Sequence, residues 1–156
     1  MNIKEGDQFP QIAGQTHDGQ TIRLADYQGK KNVVLYFYPK DLTPGCTREA
    51  IDFDRKLADF EAKDTVVIGM SVDPAASHAT FSQACGLHFP LLSDADQSVS
   101  QKLGILTEIP GHPELGQVAQ RTTFIIDTKG QVRRIFSVSQ VDGHVDEVLR
   151  TVSAIN

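Results

Sequence analysis

The sequence predicts a single α/β domain, residues 1–156, with a central mixed sheet flanked by helices and a β extension at its N-terminus. Three observations carry this. Asn32-Val33-Val34-Leu35-Tyr36-Phe37-Tyr38 is an almost unbroken β-prone apolar run, and a strand apolar on both faces belongs in the middle of a covered sheet. After it, segments with a helical stripe alternate with further apolar runs, the pattern of parallel βαβ units. Near the end, two β-prone runs flank Thr128-Lys129-Gly130, which makes a hairpin and an antiparallel finish.

In chain order, the first forty residues read as extended. Thr16-His17-Asp18-Gly19-Gln20 holds an Asp-Gly turn, and Thr21-Ile22-Arg23-Leu24 follows as a short strand. The central run stops at Pro39. A helix is expected from about Pro44 to Lys63, because Ala50, Phe53, Leu57 and Phe60 fall on one stripe while Asp52, Asp54, Arg55, Lys56 and Asp59 take the rest. Thr65 to Val72 reads as a second buried strand. Asp73 is the expected cap and Pro74 the first position of a helix that runs to Cys85 and is closed by Gly86. Phe89-Pro90-Leu91-Leu92 is a short apolar segment, and Asp96 is expected to cap a helix through Leu103, ended by Gly104. Ile105 to Ala119, with Pro110, Gly111, Pro113 and Gly116, reads as a long loop, and loops of that length are often functional. Arg121–Asp127 and Gln131–Val138 flank the late turn. Val145, Val148, Leu149 and Val152 mark one face of a last helix, with Asp142 as its cap. This order matches the thioredoxin-like arrangement. Fold alone does not assign function, so the chemistry has to be read from side chains.

Composition narrows the field. Forty per cent apolar and 22% charged residues make a soluble globular chain. A formal charge of −5, from 15 basic and 20 acidic residues, argues against nucleic acid and membrane surfaces, which both ask for a basic face. The start, Met1-Asn2-Ile3-Lys4-Glu5-Gly6-Asp7, lacks the apolar stretch of a secretory signal, and no run approaches the ~20 apolar residues that span a bilayer. Two cysteines are too few for a disulfide scaffold, so a reducing compartment, the cytoplasm, is expected. Nothing in the sequence calls for a cofactor.

The informative segment is Tyr36-Phe37-Tyr38-Pro39-Lys40-Asp41-Leu42-Thr43-Pro44-Gly45-Cys46-Thr47. It lies where the central strand hands over to a helix, beyond the strand's carboxyl end, where open α/β sheets place their chemistry. Thr43 can cap that helix and Pro44 can take its first position. Cys46 then falls in the first turn, near unpaired backbone N–H groups and the positive end of the dipole. Such a position favours the thiolate, the reactive form of the side chain.

Pro39-x-x-x-Thr43-x-x-Cys46 resembles the active-site motif of the peroxiredoxins, and the fuller string around it is similar to their Q-type subgroup, the bacterioferritin comigratory proteins. A second match, Arg121-Thr122-Thr123-Phe124-Ile125-Ile126-Asp127, looks like the arginine strand of that family, and Phe89-Pro90-Leu91-Leu92-Ser93-Asp94 also resembles the subgroup. The resemblance runs from about Gly6 to the last helix. It implies a thiol peroxidase that reduces hydrogen peroxide and organic hydroperoxides through a sulfenic acid on Cys46, with Arg121, Thr43 and Pro39 around the sulfur. The chemistry agrees. Attack on an O–O bond spreads negative charge over sulfur and both oxygens, and fixed donors aimed there lower the barrier. Arg121 offers a permanent, forked cation. The Thr43 hydroxyl can both donate and accept. Pro39, with no N–H, would wall the thiolate from water. Glu49, three residues past Cys46, occupies the position where similar proteins carry a group that steadies the arginine. An exposed helical glutamate is as good a reading from its chemistry alone.

A sulfenic acid must condense with a thiol or oxidise further. Many Q-type members keep that thiol five residues on, but here the position is Ile51. Other members resemble this chain in carrying it on the next helix, which makes Cys85 the candidate, the first turn of the Cys46 helix unwinding to reach it. Thioredoxin or a similar dithiol is then the implied reductant, and the subgroup implies a monomer. The alternatives are a one-cysteine peroxidase served by an external thiol, or a redox sensor that does not turn over. Two other readings are weaker. Thioredoxin-type exchange needs a Cys-x-x-Cys pair, and residue 49 is Glu. A metal site of His78, Cys85 and His88 lacks the paired ligands of structural zinc. The 105–119 loop and Leu42 depart from the subgroup pattern.

Overall fold

Residues 33–37 are extended because each is β-branched, aromatic or apolar and none breaks the run, and with Asn32 they form the middle strand of a five-stranded sheet. The computed structural model describes residues 1–155. Its strands are β1 (Ala13–Gln15), β2 (Thr21–Arg23), β3 (Asn32–Phe37), β4 (Thr65–Ser71), β5 (Leu91–Ser93), β6 (Leu106–Glu108), β7 (Gln117–Ala119), β8 (Thr122–Ile126) and β9 (Val132–Ser137). The main sheet runs β5-β4-β3-β8-β9. β3 pairs in parallel with β4, and β4 with β5, whereas β8 lies antiparallel to both β3 and β9. This is the expected mixed sheet. β1 and β2 form a separate antiparallel pair, the N-terminal extension, attached to the main body by an isolated bridge from Thr16 to Leu92.

Period-two alternation in β3 divides the core in two. Val34, Tyr36 and Tyr38 face one layer, with Ala50, Phe53, Phe60, Phe81, Val145, Val148 and Val152 from the helices α1 (Pro44–Arg55), α2 (Leu57–Glu61), α3 (Ala75–Cys85) and α5 (His144–Ile155). Val33, Leu35 and Phe37 face the other, with Phe124, Ile126, the N-terminal Ile3, Phe9 and Ile12, and Leu103 of α4 (Ser98–Leu103). Both faces are dry. A buried side chain of this size contributes roughly 1.5–3 kcal/mol, so both layers hold the strand in the middle of the sheet.

Several expectations need correction. The single helix from Pro44 to Lys63 is two, broken at Lys56, whose φ of −105° and ψ of 6° leave the helical range. The apolar stripe survives the break because Phe53 and Phe60 are both fully buried. Asp73 does not cap α3. Pro74 stands at the N-cap, and the Asp73 carboxylate turns inward to accept from the Asp41 N–H and the Ser71 hydroxyl. Asp96 shares its expected task with Asp94, whose carboxylate accepts from the N–H groups of Val99 and Ser100. Residues 105–119 are not a structureless loop: β6 and β7 pair within them around a 3-10 turn. Asp142, expected to cap α5, instead meets Arg48 at 2.7 Å. Gly86 closes α3 as expected, at a left-handed φ of 62°.

Candidate active site

The antiparallel register that sets Phe37 opposite Thr122 brings Arg121 to the end of the sheet where β3 passes into α1. Two segments 75 positions apart therefore meet. Thr43 stands at the N-cap of α1 with extended backbone, and Pro44, Gly45 and Cys46 are the first three helical residues. The first bond of the helix is that from the Thr47 N–H to the Thr43 carbonyl, 2.9 Å, so the N–H groups of Gly45 and Cys46 precede the ladder and point off its positive end.

Arg121 crosses to this helix end and spans two groups on it. Its Nη2 donates to Cys46 Sγ at 3.2 Å, and its Nη1 donates to Glu49 Oε1 at 2.6 Å. Gly45 leaves the space: a Cβ there would lie 3.3 Å from Nη2. Cys46 is 1% exposed and Glu49 fully buried, so these are charge-assisted contacts out of bulk water. Burial works against the Arg121 cation, but Glu49 and Cys46 more than offset it, and its pKa stands above the ordinary value.

Of the two readings open for Glu49, the exposed helical glutamate is excluded by its burial, and its carboxylate is the guanidinium's second anchor. Its Oε2 is buried without a hydrogen-bond partner among the described residues, 4.0 Å from His144 Nε2. Burial therefore outweighs the attraction of Arg121, and the Glu49 pKa rises from 4.5 to about 7. His144 shares a 2.8 Å hydrogen bond with Thr123, and burial, with the Arg121 charge, lowers its pKa to about 4. At neutral pH it is an uncharged neighbour. A stability consequence follows for Glu49. Its folded pKa lies above its unfolded one, so its contribution is complete below pH 4.5 and is lost as pH rises through 7. Replacing it by Gln is expected to raise stability relative to wild type by up to about 3 kcal/mol between those pH values. Urea unfolding across the range reads this, and a pH-independent difference would show that Glu49 is ionised throughout.

The remaining expected residues are placed as follows. The Thr43 hydroxyl does not cap; it donates to the Lys40 carbonyl at 2.9 Å. Pro39 stands half-buried in the bend between β3 and α1. Cys85, the last residue of α3, is half-buried against the apolar cluster that also holds Cys46, and both cysteines are free thiols. Burial pushes the Cys85 thiol up. The grouping weighed as a metal site does not assemble. Both ring nitrogens of His78 are engaged, with Asp41 at 2.7 Å and the Leu92 carbonyl at 2.9 Å, while His88 sits on the surface against Asp54. Asp41 and His78 are the buried polar pair that the sequence reading missed. No local signal marks them, since their contact joins positions 37 apart.

A cysteine at a helix N-terminus under an arginine from a facing strand is one half of the case, and likeness to known proteins is the other. The model of the AhpC/TSA family matches residues 5–135. The chain belongs to the AhpC/TSA family. Peroxiredoxin Bcp of Bacillus subtilis (strain 168) is 37% identical over 154 residues, 97% of this chain and 96% of its own. The crystal structure of peroxidoxin BcpB from Mycobacterium tuberculosis matches with a TM-score of 0.89 at 33% identity, over 99% of both chains. The bacterioferritin comigratory protein of Xanthomonas campestris, described through trapped intermediate and ligand complexes that bear on its alkyl peroxide reduction, matches with a TM-score of 0.84 at 32% identity, over 92% and 91% of the chains. As a peroxiredoxin, this chain has the thioredoxin fold and is a thiol-dependent peroxidase. No helix among its described residues is long and apolar enough to cross a membrane.

Proposed function

We propose that Cys46 is the thiol that attacks the peroxide and Cys85 the thiol that resolves the product. The observation that carries this is the Arg121 guanidinium, held at once on Cys46 Sγ and on buried Glu49. The Cys46 thiolate attacks one oxygen of ROOH; the S–O bond forms, the O–O bond breaks, and RO⁻ leaves to be protonated as the alcohol. Arg121 follows the charge from sulfur to the departing oxygen without reorganising, because its second nitrogen is already anchored. Thr43, whose hydroxyl donates its hydrogen bond to the Lys40 backbone carbonyl, keeps lone pairs to accept from the peroxide's O–H. Pro39 narrows access without adding a competing donor. Both hydrogen peroxide and organic hydroperoxides suit this site, the second supported by the activity attributed to the Xanthomonas relative.

Cys46 is left as a sulfenic acid. Cys85 then attacks that sulfur, a disulfide forms, and hydroxide departs as water. Cys46 at the start of α1 and Cys85 at the end of α3 occupy opposite helix ends on one face of the sheet, so the first turn of α1 has to open. Thioredoxin or a similar dithiol reduces the disulfide. The same reading places the enzyme in the reducing cytoplasm, as one domain and as a monomer.

Intact mass after one equivalent of peroxide, without reductant, tests the assignment. A loss of two hydrogens is expected. A stable gain of one oxygen would point to an external resolving thiol. One oxidation with no turnover in the presence of a thioredoxin system would favour a sensor.

A further inference from the structure

The segment between β3 and Cys46 is held from behind by buried polar groups that the peroxide chemistry does not use. Asp41 reaches into α3: its Oδ2 accepts from the Ser77 hydroxyl at 2.8 Å and lies 2.7 Å from His78 Nδ1, and its Oδ1 accepts from the Tyr38 hydroxyl at 2.7 Å. The Asp41 backbone N–H donates to Asp73 Oδ2, also at 2.8 Å. His78 Nε2 faces the Leu92 carbonyl, which can only accept, so that nitrogen carries a hydrogen. The other nitrogen and Asp41 Oδ2 then share one proton. Between Asp41 and the cap residue Thr43 stands Leu42, at a left-handed φ of 64° that a residue with a side chain adopts only when its surroundings hold it there.

We infer that Asp41 and His78, with Ser77, are positioning residues that latch the Cys46 segment closed onto α3, and that this latch sets the rate at which Cys46 becomes free to meet its resolving thiol. The inference deepens the proposed function and, for its disulfide readout, rests on the Cys85 assignment. Opening the first turn of α1 must carry Leu42 and Asp41 with it, and α3 is the element that also carries Cys85. While the latch holds, Cys46 stays under Arg121 and competent for peroxide; when it yields, the strained Leu42 relaxes and the turn unwinds. The titratable groups facing the pair are Tyr38, the residue after β3, and Asp73 from the β4–α3 connection, with Lys40 bridging to Asp73 at 3.6 Å.

Because the closed form dominates, loosening the latch raises the open fraction and leaves the closed one nearly unchanged. Ser77→Ala deletes one bond from a half-buried site and is expected to speed disulfide formation about fivefold, with the rate of Cys46 oxidation by peroxide within about twofold of wild type. His78→Asn keeps a donor towards Asp41 but loses the Leu92 bond, and is expected to exceed Ser77→Ala. Ser100→Ala in α4, a helix of the core layer opposite to that of α1, deletes the buried 2.6 Å bond to Asp94; it is the control for general destabilisation and should leave disulfide formation unchanged. Amide hydrogen exchange of residues 41–47 in the reduced protein supplies a readout that does not involve Cys85. Exchange there should rise about fivefold in Ser77→Ala and not in Ser100→Ala. If the disulfide never forms but exchange responds in this way, the Cys85 assignment fails and the latch stands. Equal exchange in the two variants, or slower peroxide oxidation with unaltered exchange, overturns the latch.

Discussion

Cys46→Ser is expected to abolish peroxide turnover, by at least roughly four orders of magnitude, while the fold remains intact. Serine fills nearly the same volume at the start of α1, and its hydroxyl still accepts a hydrogen bond from Arg121. What is lost is the sulfur atom, a softer and more polarisable nucleophile than a serine oxygen. Fixed donors assist a reaction only once an attacking atom is present, so Thr43 and Arg121 cannot replace it. Cys85→Ser is the necessary companion. Removing Cys85 should spare the first oxidation and block cycling with a thioredoxin system, leaving Cys46 as a sulfenic acid or one of its adducts. Stopped-flow oxidation together with intact mass separates the two variants. Residual turnover in Cys46→Ser within a hundredfold of wild type would move the chemistry to Cys85 and end the proposal.

The second large effect is expected at Arg121. Arg121→Ala should lower the second-order rate of Cys46 oxidation by about 10²–10³, the range found when a fixed donor to developing negative charge is removed. Arg121→Lys should recover only part of this. A single ammonium cannot reach Cys46 and Glu49 together with the geometry of a fork, so the substitution is not conservative here. The buried Glu49 left behind complicates the alanine variant, and the Arg121→Ala, Glu49→Gln double variant removes that complication. Its oxidation rate should match that of Arg121→Ala, since the amide removes the stranded charge but supplies no cation at the sulfur. An Arg121→Ala loss of less than tenfold would show that the helix N-terminus alone activates Cys46.

The parts legible in the sequence are those with a local physical cause. The almost unbroken apolar run over 33–38 implied a strand buried on both sides, and the two-layer core around β3 agrees. The Thr43-Pro44-Gly45-Cys46 string implied a helix start, and α1 begins at Pro44. Gly86 and Gly104 implied helix ends, and both adopt left-handed φ there. Errors arose where a local signal had a distant competitor. Asp73 reads as a cap, yet the buried Asp41 N–H and the Ser71 hydroxyl claim its carboxylate. Asp142 reads as a cap as well, and Arg48 from α1 takes it. Residues 105–119, rich in Pro and Gly, read as a loop because three-residue strands such as β6 and β7 are too short to show a period.

The buried central strand and the helix start that carries Cys46 are properties of short stretches, written in propensity and in the chemistry of neighbouring residues, while the part expected of Arg121 is what the peroxiredoxin resemblance implies. Which nitrogen of Arg121 meets sulfur, why Glu49 is driven towards neutrality at physiological pH, and how Asp41 finds His78 belong to the assembled molecule. Those depend on strand register and on the exclusion of water, and both arise only when segments dozens of residues apart are packed against one sheet.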